Sequence, residues 1–268
     1  MALETLERLT EDDIEALERA IAARHTKAYE AVVDAETIRV RATMRTFLEE
    51  VAPDIKQVAF QDLVAATSDL AIEVIEPAVV NASAAAAETW SLPSSAASTA
   101  SSLAPQAAAE TIVHEQIARN VRWAIAPLVD ESLDPTTALR KAITQLQDTT
   151  GRRVQEAPRE AGLVVAQREG HKLRAVSIPR GVTCPWCLTM ATRSDLIKER
   201  VNRDATGRTN VWHPHCDCSV ELTAKGAKPT GINLLAADLY SDREKWSELT
   251  KWISDKSLIE KGHDWKSD

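Results

Sequence analysis

The chain has 268 residues, 44% of them apolar and only 4% aromatic, with a formal net charge of −8. That length holds one large domain or two modest ones, and abundant alanine beside only eight glycines favours helices over a many-stranded sheet. No run of about 18 apolar residues occurs, which excludes an apolar membrane span, and the acidic start MALETLERLTEDD has no basic-then-apolar leader pattern, so a cytoplasmic origin is expected.

Residues 1–90 carry 18 acidic and eight basic side chains, whereas the remainder is close to balanced. Free nucleic acid is repelled by such a first third, because phosphate binding needs dense Lys and Arg. Thr10 followed by Asp13 reads as a capping box, and Glu11, Asp12 and Asp13 suit a helix N-terminus. Ile14, Leu17, Ile21, Ala28, Val32 and Ala35 then keep helical spacing, predicting one long helix over about 11–50. A second stripe of Ile55, Val58, Ala59, Leu63, Ala66, Leu70 and Val74 predicts a helix ending near Pro77.

Residues 81–109 are rich in Ala and Ser and broken by Pro93 and Pro105, which predicts a linker or loosely packed helices. Helix returns at about 106–126, resumes after Asp134-Pro135, and has a further piece at about 157–169. Arg174 to Ile178 alternates like a short strand before Pro179. Beyond Ala224, Trp246, Leu249, Trp252 and Ile253 form a stripe at helical spacing, read as core or a docking edge. The expected fold is mostly α with a small α+β part. It divides into a helical arm (1–80), the Ala/Ser-rich stretch (81–109), a helical region (110–169), a Cys/His module with short strands (170–224) and a helical tail (225–268).

All four cysteines fall within 184–218. Cys184-Pro185-Trp186-Cys187 forms one pair, and His213-Pro214-His215-Cys216-Asp217-Cys218 supplies the rest, with 28 residues between Cys187 and Cys216. Two cysteines separated by two residues converge on one ion in a tight turn, and a second cluster completes a tetrahedron. Thiolates with imidazole select zinc over hard cations. The candidate ligands are Cys184, Cys187, His213, Cys216 and Cys218, with His215 the weakest, and the spacing leaves open which four bind. A thiol redox pair needs the first cluster at a helix start after a buried strand and leaves the second cluster unexplained. Structural disulfides are disfavoured in a reducing compartment. No His-Glu-x-x-His and no His-x-Glu upstream of the cysteine pair is present, so the zinc reads as structural and no catalytic residue is assigned.

Pro179-Arg180-Gly181 leading into the first pair, then Met190-Ala191-Thr192-Arg193-Ser194, then the His213–Cys218 cluster, resembles the Mu-F-like minor head proteins of tailed phages, in particular the branch in phages of actinobacteria. The likeness in motif covers about 170–222. It implies a virion protein of the phage head, made in the host cytoplasm, bound near the portal protein and other procapsid proteins, and needed for head assembly or DNA delivery. Some relatives carry the label of capsid maturation protease, which gives an alternative, and a zinc-stabilised adaptor module is another. Packaged DNA is a further contact to consider, through the basic residues Arg152, Arg153, Arg159, Arg168, Lys172, Arg174 and Arg180. Asp148, Glu156, Glu160 and Glu169 interleave with them, so a solvated helix face is the favoured reading. Trp186 and Trp212 are read as caps on a small zinc-centred core rather than base-stacking platforms. The Ala-rich stripe of the N-terminal helices buries little area per residue, so part of their stability is expected to come from a partner, the portal.

Overall fold

A computed structural model of the chain describes residues 10–24, 28–90, 92–170, 173–178, 185–192, 219–227 and 232–261. Its described part is mainly helical with one two-stranded sheet, and it forms two compact units. Unit 1 comprises Met1–Lys27, Trp90–Ala96 and Ala166–Asp268, and unit 2 comprises Ala28–Thr89 and Ala97–Val165. No helix among the described residues is long and apolar enough to cross a membrane.

Unit 2 is built around helix packing with small residues. Helix α2 (Ala28–Val51) turns through a 3₁₀ segment (Ala52–Gln57) into α3 (Phe60–Glu88). In α2 the buried positions are Glu30, Val33, Thr37, Val40, Met44 and Leu48, a three-four spacing that keeps one narrow seam inward. α3 instead buries residues on more than one side, from Leu63 and Val64 through Ala71, Ile75 and Ala78 to Ala86 and Ala87. It packs on α2 and on α5 (His114–Ile125). The Asn81 side chain donates to Glu36 at 2.9 Å, and Arg39 pairs with that carboxylate at 2.7 Å.

One expectation is corrected here: α3 does not end near Pro77 but runs on to Glu88. The Ala/Ser-rich stretch, read as a linker or loosely packed helices, is mostly helical over its described residues. Its first part completes α3, and most of its remainder is α4 (Ser94–Glu110). Proline inside a helix removes one hydrogen bond and costs about 3 kcal/mol. Pro77 and Glu73 are both exposed, so the carbonyl freed four residues back faces water. On the buried side Val74, Ile75, Ala78 and Val79 continue the packed surface without a break. Alanine also has the highest helix propensity, and Ala82, Ala100, Ala104, Ala107 and Ala108 are all buried. Small side chains here mean close approach rather than looseness.

The same logic joins the helices expected after Asp134 and at 157–169 into one, α6 (Pro135–Arg168), which passes Pro158. Its buried residues Ala138, Ala142, Leu146, Thr150, Val154, Ala157, Ala161 and Val165 recur every three or four positions on both sides of the proline. Asp134 caps it, accepting from the Thr137 N–H at 3.0 Å. α2 and α6 are tied reciprocally: Arg41 Nε donates to the Gln147 carbonyl and Gln147 Nε2 to the Arg41 carbonyl, each at 3.2 Å. Gly151 sits where any Cβ would run into the Arg41 guanidinium.

In unit 1, α1 (Glu11–Arg24) starts where the sequence predicts. The Thr10 N–H donates to Asp13 Oδ2 at 3.0 Å, and the Asp13 N–H donates to Thr10 Oγ1 at 3.2 Å, a reciprocal capping box. Lys245 Nζ lies 3.5 Å from the same carboxylate. The helix expected over 11–50 is thus described as α1 and α2, with 25–27 outside the described residues. The Thr10 N–H, aided by the Thr10 hydroxyl and Lys245 and opposed by partial burial, holds the Asp13 carboxyl below its ordinary range. A depressed folded value contributes stability above the unfolded pKa of about 3.9, and that contribution is lost as pH falls through the lower folded value. Thr10→Ala should cost about 0.5–2 kcal/mol and raise the Asp13 midpoint only in part, because the backbone N–H at position 10, the largest cause of the lowering, remains. Carboxyl-resolved NMR titration of both proteins checks this, and an unchanged midpoint would sink the account.

Candidate functional site

The frame around the Cys/His clusters is a hairpin-like pair of strands with three helices. β1 (Leu173–Ile178) pairs antiparallel with β2 (Ser219–Ala224), Leu173 opposite Ala224 and Ile178 opposite Ser219. The sequence announces β1 by its alternation. β2 escaped notice because it follows directly on the Cys/His cluster, whose chemistry masked a β-prone Ser-Val-Glu-Leu-Thr run. Trp90 is buried and its indole N–H donates to the Val220 carbonyl at 3.2 Å, satisfying a backbone group of β2 from a distant part of the chain. Across the strands Arg174 Nε donates to Thr223 Oγ1 at 2.9 Å, and the same guanidinium reaches the Ala227 carbonyl.

α7 (Pro185–Ala191) opens on a proline, a residue suited to the first helical turn because its missing N–H would be unpaired there. Leu188, Met190 and Ala191 are buried. Asn233, buried on α8 (Ile232–Ser241), donates to the Ala191 carbonyl at 2.7 Å and so closes the C-terminal end of α7. Val176 of β1, Leu188 and Ala191 of α7, Ala236 and Leu239 of α8, and Leu249 and Ile253 of α9 (Arg243–Lys261) form one core cluster. Trp246 and Trp252 pack against it, and Tyr240 meets Trp246 edge to face with ring centroids 4.9 Å apart. The stripe read as core or a docking edge is therefore core. Asp242 caps α9, accepting from the N–H groups of Glu244 at 3.0 Å and Lys245 at 3.1 Å.

The metal-ligand candidates Cys184, His213, Cys216 and Cys218 lie outside the described residues, as do Trp212 and His215, and the same holds for the side chains of Cys187 and Trp186 on α7. Among the described residues no group of three or more His, Cys, Asp or Glu forms a metal-binding set. What is described is where the chain enters and leaves. Cys184 is bonded to the first residue of α7, Cys187 is the third residue of that helix, and Cys218 is bonded to Ser219, the first residue of β2. β2 is paired to β1, and α7 packs on β1. The elements bonded to Cys184 and to Cys218 thus belong to one packed frame.

Two of the basic residues of α6, Arg153 and Arg159, depart from the solvated face expected of them, whereas Arg168 is exposed as that reading has it. Arg159 is buried and the side chain of Arg153 nearly so. Arg152 Nε contacts Glu156 at 2.6 Å, Arg153 reaches Glu156 at 3.7 Å and Glu160 at 3.6 Å, and Arg159 lies 4.0 Å from Glu156. Arg153 also donates to the Gln116 side chain of α5 at 2.8 Å. Here the guanidinium groups serve internal carboxylates rather than a phosphate backbone. Desolvation raises the Glu160 carboxyl above its ordinary range; Arg153 opposes the shift, the Glu156 charge adds to it, and Arg159 and Thr111 oppose it. A raised carboxyl binds its proton more tightly in the folded state, so stability falls as pH rises from the unfolded value through the folded one. Glu160→Gln should remove that part of the pH dependence. Thermal denaturation between pH 4 and 7 measures it, and an identical slope for the variant would refute the assignment.

His114 is exposed and pairs with Glu76 at 3.0 Å, joining α5 to α3. Other described ion pairs include short-range helix pairs such as Arg45 with Glu49 at 2.8 Å, the ordinary furniture of a solvated helix.

In comparison with known families, the model described as VG15 protein matches residues 6–242, a span that includes most of both units. No curated protein and no solved structure matches the chain.

Proposed function

We propose that this chain, which belongs to the VG15 protein family of phage virion proteins, is a minor head protein that acts near the portal in head morphogenesis or DNA delivery. In this reading it is a structural component of the phage head whose Cys/His cluster holds a zinc ion. Cys184, Cys187 and two of Cys216, Cys218 and His213 would be the ligands, and the ion would crosslink the ends of α7 and β2. The observation that carries the proposal is the frame. Antiparallel pairing of β1 with β2 and packing of α7 on β1 bring the attachment points of both clusters into one unit. The donors are soft and their pairwise spacing suits tetrahedral zinc.

The portal protein and other procapsid proteins are the proposed partners, with the virion as the final location. The test uses the full chain co-expressed with portal protein. It should co-purify with portal and carry about one zinc per chain by elemental analysis. Recovery free of portal overturns the location, and metal-free protein prepared without chelator overturns the site. Incubation with unprocessed capsid or scaffold protein should give no cleavage. Specific cleavage lost in a folded His213→Ala variant would move the protein to the maturation proteases.

One observation favours a second reading of the first cluster. The Cys-Pro-Trp-Cys segment meets the start of a helix that follows a strand, the setting of a thiol–disulfide pair. Thiol counting separates the two. A zinc site releases four or three thiolates only after chelation, whereas a redox pair cycles between two thiols and none without metal.

A further inference from the structure

We propose that Asn233 and Trp90 are positioning residues of the Cys/His site, a role that rests on that cluster holding zinc. Each donates a hydrogen bond to a backbone carbonyl on an element that bears or adjoins a proposed ligand. Asn233 Nδ2 donates to the Ala191 carbonyl of α7 at 2.7 Å, and the Trp90 indole N–H to the Val220 carbonyl of β2 at 3.2 Å. Cys187 stands four residues before Ala191, about one helical turn, and Cys218 stands two residues before Val220. Neither an amide N–H nor an indole N–H is a zinc donor, so both residues act through the backbone they hold.

The two bonds matter because the elements they hold are weak by themselves. α7 has seven residues, well below the roughly 12–15 at which a helix sustains itself in water. Its last carbonyls have no partners within the helix. Thr192 reaches back to one of them, its N–H and hydroxyl donating to the Thr189 carbonyl at 3.2 and 2.8 Å, and Asn233 takes the carbonyl of Ala191. Burial of Leu188 and Ala191 holds α7 to the core, but apolar packing is non-directional and sets its rotation only loosely. The amide supplies the direction. Asn233 is 7% exposed and bonded to a member of a wholly apolar cluster, so turning or sliding α7 would leave buried polar groups unpaired.

β2 is held by the same logic. Its first residue, Ser219, pairs with the last of β1, Ile178, at one end of a two-stranded ladder, and such a pair is marginal without outside support. Trp90 is 6% exposed, comes from far upstream in the chain, and fixes Val220, the second residue of that strand. Four ligands meet one ion at fixed distances only if the elements carrying them keep their setting. Loosening either element therefore weakens binding although no ligand is touched, and losses of this supporting kind run to about 10–100-fold.

The test uses the full chain with zinc and with cobalt(II), whose absorption bands report ligand geometry. Asn233→Leu keeps the size of the side chain and Trp90→Phe keeps an aromatic ring, and both lose the donor. Each should bind zinc about tenfold more weakly in competition with a chromophoric chelator, and each should shift the cobalt bands. Leu249→Ala opens the same core without removing a donor, and its cobalt bands should stay the parent's even as its melting temperature falls. Circular dichroism checks folding, and if one donor variant fails to fold, the other decides. Parental affinity and parental bands in a folded donor variant overturn the proposal and leave the zinc reading in place. So does an equal band shift in Leu249→Ala, which would trace the effect to core stability. A parent chain that binds neither metal overturns the zinc reading, and this role with it.

Discussion

Cys187→Ser is expected to unfold the region of β1, α7 and β2 while the helices of unit 2 stay formed. The size of the effect follows from what holds that region. Its sheet has two strands, and such a pair is marginal without further support. The cluster of Val176, Leu188, Ala191 and the α8–α9 residues supplies packing on one side. A structural zinc of the proposed kind adds on the order of 10 kcal/mol of apparent binding free energy, and loss of one of four ligands removes much of it. Unit 2 has its own core around α3, so it should not follow. Limited proteolysis read by mass spectrometry locates the new cut sites. Cuts confined to 170–224 are the expected result, and a digestion pattern identical to the parent's would show that no structural metal depends on Cys187.

Ile75→Ala should cost about 2–5 kcal/mol, the range for deleting a fully buried aliphatic side chain. Ile75 is 1% exposed in α3, the helix against which both α2 and α5 pack, so neighbouring elements cannot close over the void without moving together. The converse change is informative too. Ala82 is fully buried in the same helix, and Ala82→Leu should cost about 1–3 kcal/mol because close backbone approach leaves no room for three added carbons. Ile38→Ala is the control: Ile38 is 66% exposed on α2 and should change stability by less than about 0.5 kcal/mol. Chemical denaturation followed by circular dichroism ranks the three. If Ala82→Leu proves neutral, the Ala-rich packing is looser than described.

These buried contacts also bear on the N-terminal helices. The N-terminal helices are expected to draw part of their stability from a partner, and within the chain Val40, Met44 and Leu48 of α2 are already fully buried. Deleting residues 1–80 would therefore remove α2 and most of α3 and dismantle unit 2. Binding to the portal is better tested with the full chain.

The amino-acid sequence by itself determined the helical class, the capping box at Thr10 and Asp13, the strand at 173–178, and the helical spacing of Trp246, Leu249, Trp252 and Ile253. Each is a local signal, a fixed spacing or a side chain that bonds its own backbone within one turn. The five candidate metal ligands rest on spacing, and they lie outside the described residues save the backbone of Cys187. Only the tertiary structure decided the rest. Pro77 read as a helix end because the local cost is about 3 kcal/mol, and packing along the uninterrupted buried face of α3 outweighs that cost, as it does for α6 across Pro158. The Ala/Ser stretch read as a linker or loosely packed helices because small side chains promise little buried area, and only the burial of Ala100, Ala104, Ala107 and Ala108 on α4 gives that smallness a use. Arg153 and Arg159 read as solvated because charge implies water, until Glu156 and Glu160 are found beside them.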